Sequence, residues 1–124
     1  MNRFELEERL INFAVLIVEI ANETSDTKPA QHLAGQMIRS GTSPALNNGE
    51  AQAGESKRDF IHKIGIVLKE LRETLVCLKI IQRSNLSPSL EKIQRALTEN
   101  DELISIFVKS VETAQRNLRG KGKV

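Results

Sequence analysis

The sequence predicts an all-α chain folded as an antiparallel, up-down-up-down four-helix bundle, and three observations carry that prediction. Apolar residues recur at three- and four-residue steps through four long segments, capping residues or proline bound those segments, and the connections between them are short. Helices of similar length joined by short turns have little choice but to pack against their sequence neighbours in opposite directions.

The first predicted helix covers about residues 2–22. Asn2 caps its start, with Glu5 at the third helical position to complete a capping box. Leu6, Leu10, Phe13, Ile17 and Ile20 form one apolar stripe, and Ile11, Ala14, Val18 and Ala21 form a second beside it. One core covers one stripe, so two adjoining stripes imply that this helix is also buried against a neighbouring subunit.

The Thr, Ser and Asp of residues 23–28 break the chain before Pro29, which opens a second helix over about residues 29–53. Ala30, Leu33 and Met37 keep helical spacing, but Gly41, Pro44 and Asn48-Gly49 interrupt it. A single kinked helix is the expectation, with two short helices end to end as the alternative. Gly54 ends this segment, and Ser56 with Asp59 three residues later reads as a capping box for a third helix over about 56–84. Phe60, Ile64, Val67, Leu71, Thr74, Leu78 and Ile81 give it an unbroken stripe. Ser87 as cap and Pro88 in the first turn then predict a fourth helix over about 88–118. Leu90, Ile93, Leu97, Asn100, Ile104, Phe107, Val111, Ala114 and Leu118 run along its core face, with Asn100 the polar member. Residues 119–124 are expected to form a flexible basic tail, because Gly120 and Gly122 alternate with cations there.

Composition narrows the function classes. A chain of 124 residues that is 40% apolar suits one domain with one core. Aromatic residues make up only 3%, all of them Phe, so few side chains are available for stacking bases. The lone Cys77, among Leu75, Val76 and Leu78, reads as a small buried hydrophobe in a reducing compartment. The uncharged run from Phe13 to Val18 is too short to span a bilayer, and Glu5, Glu7 and Glu8 are unlike a signal peptide. The expectation is a cytoplasmic protein with no membrane contact.

No catalytic, metal or cofactor constellation stands out. His32 and His62 lack any HExxH, CxxC or Glu-x-x-His partner. Arg58 and His62, with three residues between them, are too closely spaced for a helical ribonuclease pair, and Gly41, Gly49 and Gly54 do not form a phosphate loop. Arg39, Ser43, Asn47 and Glu50 do align on one helix face at steps of four, four and three. They read as a structural polar seam, with Glu70 of the third helix answering Arg39. If that pair is buried, removing Arg39 costs about 3 to 5 kcal/mol.

Charge is unevenly spread. Arg116, Arg119, Lys121 and Lys123 give the end of the chain +4, while the remainder carries −2, from 14 basic and 16 acidic residues. Such a segment neutralises phosphates without reading sequence, although tails of this size also serve merely as solubilising ends. Lys57 and Arg58 form a secondary basic candidate at the start of the third helix.

Residues 36–43 (Gln-Met-Ile-Arg-Ser-Gly-Thr-Ser), followed by Asn47 and Glu50, then Ser56-Lys57-Arg58-Asp59-Phe60 and the run from Leu68 to Leu75, form a recognisable pattern. It resembles the 23S rRNA intervening-sequence proteins over about residues 4 to 118. Its most specific part is the Arg-x-x-x-Ser-x-x-x-Asn-x-x-Glu spacing with the later Lys-Glu-Leu. The resemblance implies a non-enzymatic four-helix bundle that forms a cyclic homo-oligomer, a pentamer above all. A related branch, the accessory variability determinant of diversity-generating retroelements, forms a similar basic ring associated with nucleic acid and reverse transcriptase. The implied partners are therefore the chain itself, RNA or DNA, and a reverse transcriptase or other protein. A protein-only assembly module is the alternative. Pro44, Asn48 and Gly49 depart from the more apolar pattern of many relatives.

Overall fold

The computed structural model describes residues 1–54 and 56–122, the side chain of Lys121 excepted. Among these residues the chain is all-α, with four helices and no strand: α1 (Arg3–Glu23), α2 (Lys28–Gln52), α3 (Lys57–Arg83) and α4 (Leu90–Gly122). Each helix packs on its neighbour in sequence, and α1 also touches α4. Leu10, Phe13, Ile17 and Ile20 of α1 meet Met37 of α2, Ile64, Leu71 and Leu78 of α3, and Ile93, Leu103 and Phe107 of α4 in one core. None of the helices described is long and apolar enough to cross a membrane.

Local chemistry sets most boundaries. The Asn2 side chain accepts from the Glu5 N–H at 2.8 Å while the Glu5 carboxylate accepts from the Asn2 N–H at 3.4 Å, closing the capping box of α1. Thr27 caps α2 by accepting from the Ala30 N–H, with Pro29 in the first turn where its missing N–H costs nothing. Ser56 caps α3 by accepting from the Asp59 N–H at 3.1 Å. At the other end of α3, Asn85 takes a left-handed conformation (φ 54°). The Leu86 N–H then reaches the Ile81 carbonyl and the Asn85 N–H the Gln82 carbonyl, which satisfies two carbonyls of the last turn. Ser25 ties the two loops at this end together, its N–H and hydroxyl both donating to the Leu86 carbonyl at 2.8 Å.

Two boundaries differ from those the sequence suggests. α4 begins at Leu90 and not at Pro88. Ser87 is buried and its hydroxyl accepts from the Ser89 N–H in a tight turn, while the Ser89 carbonyl accepts from the Ile93 N–H and so opens the first helical turn. At its far end α4 continues past Leu118 to Gly122, so Arg119 sits on the helix. Cations in the last turns of a helix face its partly negative end, which favours the extension. In α2, the helix is continuous through Gly41, Pro44 and Gly49, so the alternative of two short helices does not hold. Gly41 serves a close approach: a Cβ there would lie 2.8 Å from Ile17 Cγ2 on α1.

Candidate functional site

The start of α3 and the later turns of α4 line one groove. Lys57 and Phe60, in the first turn of α3, line a groove of about 440 Å³ with Ile106, Lys109, Ser110 and Asn117 of α4. Arg58 is exposed beside it, and Arg116 and Arg119 are exposed on the last turns of α4. Phe60 is half-buried and contributes apolar surface to the groove. The side chain of Lys121 and the whole of Lys123 lie outside the described residues.

The outer face of α3 extends this positive surface. Arg58, Lys69, Arg72, Lys79 and Arg83 are all exposed, and steps of eleven, three, seven and four residues set them on one side of the helix. None of these five makes an ion pair among the described residues. As a segment α3 carries +4, with seven basic and three acidic residues, against −3 for α1, with five acidic and two basic. Lys69, Arg72, Lys79 and Arg83 are not among the sequence-derived candidates. Their spacing was legible, but it lies opposite the apolar stripe that dominates the pattern of this helix.

The expected polar seam falls into separate pieces between α2 and α3. Arg39 bonds to Glu70 at 2.9 Å and also pairs with Glu73. The Asn47 amide donates to its own neighbour Ser43 at 2.7 Å, and Glu50 pairs with Lys63 at 2.7 Å. Arg39 is half-exposed, its side chain 52% accessible, whereas Glu70 is nearly covered at 12%. A fully buried pair is therefore not what holds these helices, because the long arginine stem carries its head to the surface. The covered polar contact is one turn away, where Thr74 donates to Ser40 at 2.8 Å with both residues at 0% exposure. Beside Arg39 and Glu73, burial pushes the Cys77 thiol above its ordinary range and keeps it neutral.

A different surface lies between α1 and α2. Ile11, Val15 and Val18 of α1 and Leu46 of α2 are large apolar residues left exposed, and they line an almost wholly apolar groove of about 380 Å³ with Ala14 and Ala45. Ile11, Ala14 and Val18 of the expected second stripe line this groove and Val15 joins them, whereas Ala21, the stripe's fourth member, is buried in the core. Among the described residues no group of three or more His, Cys, Asp or Glu is placed to hold a metal ion.

The family model described as 23S rRNA-intervening sequence protein matches residues 3–109. Among solved structures, the chain is similar to a protein of unknown function from the S23 ribosomal protein family of Bacteroides thetaiotaomicron. The two share 27% identity with a TM-score of 0.78, over 86% of this chain and 97% of that one. No curated protein matches it.

Proposed function

The chain belongs to the 23S rRNA-intervening sequence protein family, and from that premise we propose that it is a non-enzymatic, cytoplasmic protein that assembles into a homo-oligomeric ring and binds nucleic acid without strong sequence preference. The observation that carries this reading is the shared groove at the start of α3 and the end of α4, lined by Lys57 and Lys109, with exposed Arg58 next in sequence to Lys57 and exposed Arg116 next to the groove-lining Asn117. Cations at that density displace counterions from a phosphate backbone, and the one aromatic residue lining the groove, Phe60, is half-buried. Arg116 and Arg119 lie beyond the residues that the family model matches, so this chain's own α4 extension contributes to the site.

The same reading takes the helices as an up-down-up-down antiparallel bundle. The ion pairs support it: Glu50 meets Lys63 while Arg39, earlier in α2, meets Glu70 and Glu73, later in α3. With five copies as the favoured ring, repeated basic ends would add their potentials and give an avidity that one copy lacks.

Fluorescence anisotropy with short RNA and DNA, single-stranded and duplex, tests the binding. Affinity is expected to be similar across unrelated sequences and to fall steeply between about 50 and 200 mM salt. Replacing Lys57, Lys109, Arg116 and Arg119 together by Gln should flatten the salt slope. No binding at low salt and micromolar protein would refute the nucleic-acid role. It would leave the protein-only assembly module, the reading that the uncovered α1–α2 groove favours on its own.

A further inference from the structure

We infer that the apolar groove between α1 and α2 is filled by the outer face of α3 from a second copy, with Val76 and Ile80 as the inserted residues. This rests on the oligomeric part of the function proposed above and specifies the surfaces that build it. Val76 and Ile80 are 55% and 41% exposed and stand one helical turn apart. They are flanked by Arg72, Lys79 and Arg83, all exposed and without ion pairs among the described residues.

The groove has the complementary rim. Glu19 lines it directly, and Glu8 is exposed one turn from Ile11 on the same side of α1. An apolar trough edged by carboxylates matches an apolar ridge edged by cations, and it repels the phosphates of a nucleic acid. It also disfavours its own copy: a twofold axis through the face would bring the glutamates of the two chains together. Head-to-tail packing avoids that repulsion and satisfies both rims.

The placement of the two surfaces decides what such packing builds. α3 lies across the core from α1 and not at its side, and the groove opens between α1 and α2 while the ridge lies on α3. The donor and acceptor surfaces therefore stand at an angle and not back to back, so each copy turns relative to the last, which a ring requires; a turn that did not close would build a helical filament instead. The groove of α3 and α4 at Lys57 is left outside this interface, whereas Arg72, Lys79 and Arg83 of the positive outer face of α3 are taken up by it.

The test uses the full chain carrying Val15→Glu, which spoils the groove, or Val76→Glu, which spoils the ridge. Both positions are on the surface, so helical circular dichroism should match wild type; Leu46→Arg, at the most exposed groove residue, serves as a second groove variant. Light scattering should show wild type at a multiple of 13.9 kDa and each variant alone at that single mass. Mixing a groove variant with the ridge variant leaves one intact groove and one intact ridge, and should give a 1:1 dimer. If wild type is itself monomeric, the oligomeric reading falls and this inference with it. If wild type assembles and Val76→Glu still assembles fully, the ridge is wrong while the oligomer stands. A mixture that stays monomeric would likewise overturn the head-to-tail arrangement.

Discussion

Gly41→Ala adds one methyl group at the closest approach of α1 and α2, and the structure sets its consequence. The new Cβ would stand 2.8 Å from Cγ2, 2.9 Å from Cγ1 and 3.1 Å from Cβ of Ile17. Ile17 is fully buried, and a β-branched side chain in a helix has one strongly preferred rotamer, so it cannot swing aside. The helices must separate or strain, at about 1 to 3 kcal/mol. Against this, replacing glycine by alanine inside a helix gains roughly 1 kcal/mol. The net expectation is a loss of about 1 kcal/mol. Gly35 and Gly65 supply the controls, because a Cβ at either meets nothing within 4 Å, and Gly35→Ala or Gly65→Ala should gain about 0.5 to 1 kcal/mol. Urea unfolding followed by circular dichroism, at one fixed protein concentration because assembly shifts the midpoint, reads all three. Ile17→Ala removes the obstructing γ carbons, so Gly41→Ala should be tolerated in that background. A Gly41→Ala midpoint raised as far as that of Gly35→Ala would refute the close-approach argument.

Other expectations follow from single side chains. Asn100 is fully buried, with no protein partner for its amide nitrogen or oxygen among the described residues, so Asn100→Leu should raise the urea midpoint by the equivalent of about 1 to 3 kcal/mol; a lowered midpoint would contradict this. Arg39→Ala should cost about 1 to 2 kcal/mol, below the range for a buried pair because Arg39 is half-exposed, and adding Glu70→Gln should recover part of it; the same unfolding assay decides. Cys77 should resist iodoacetamide in the folded protein at pH 8 and react once urea is added, since burial favours the neutral thiol. As the raised thiol pKa requires, its contribution to stability should be full below the unfolded thiol's pKa of about 8.5 and be lost as pH rises from there through the raised folded pKa, an effect Cys77→Ser should remove from the pH profile. Ending the chain after Leu118 should lower the salt slope of nucleic-acid binding without abolishing it, because Lys57 and Lys109 remain.

What the sequence showed depends on how far each cause lies from its effect. The capping residues Asn2 and Ser56 were legible because their partners, Glu5 and Asp59, are three residues away. Gly41 looked like a helix breaker because its reason, Ile17, is on another helix. Ser87-Pro88 imitated a cap followed by a first turn, and only the bond from the Ser89 N–H shows that Ser87 closes a loop turn instead. The second stripe of the first helix was visible as an excess of apolar residues; the structure leaves its Ile11 and Val18 exposed, adds Val15 to them, and buries its Ala21 in the core. The candidate site was half legible. Lys57 stood out, but Lys109, which lines the groove with it, did not, because their shared groove depends on the relative register of α3 and α4, which no local pattern encodes.

Lysine footprinting tests the central claim most directly. The full chain is acetylated briefly with and without short duplex RNA at about 50 mM salt, where phosphate contacts are strong, and each lysine is read by mass spectrometry. Lys57 and Lys109 in the groove should lose reactivity when RNA is present, while Lys28 and Lys92, on the first turns of α2 and α4, should keep theirs. Equal protection of all four, or protection confined to Lys28 and Lys92, would contradict a phosphate-binding site at the meeting of α3 and α4.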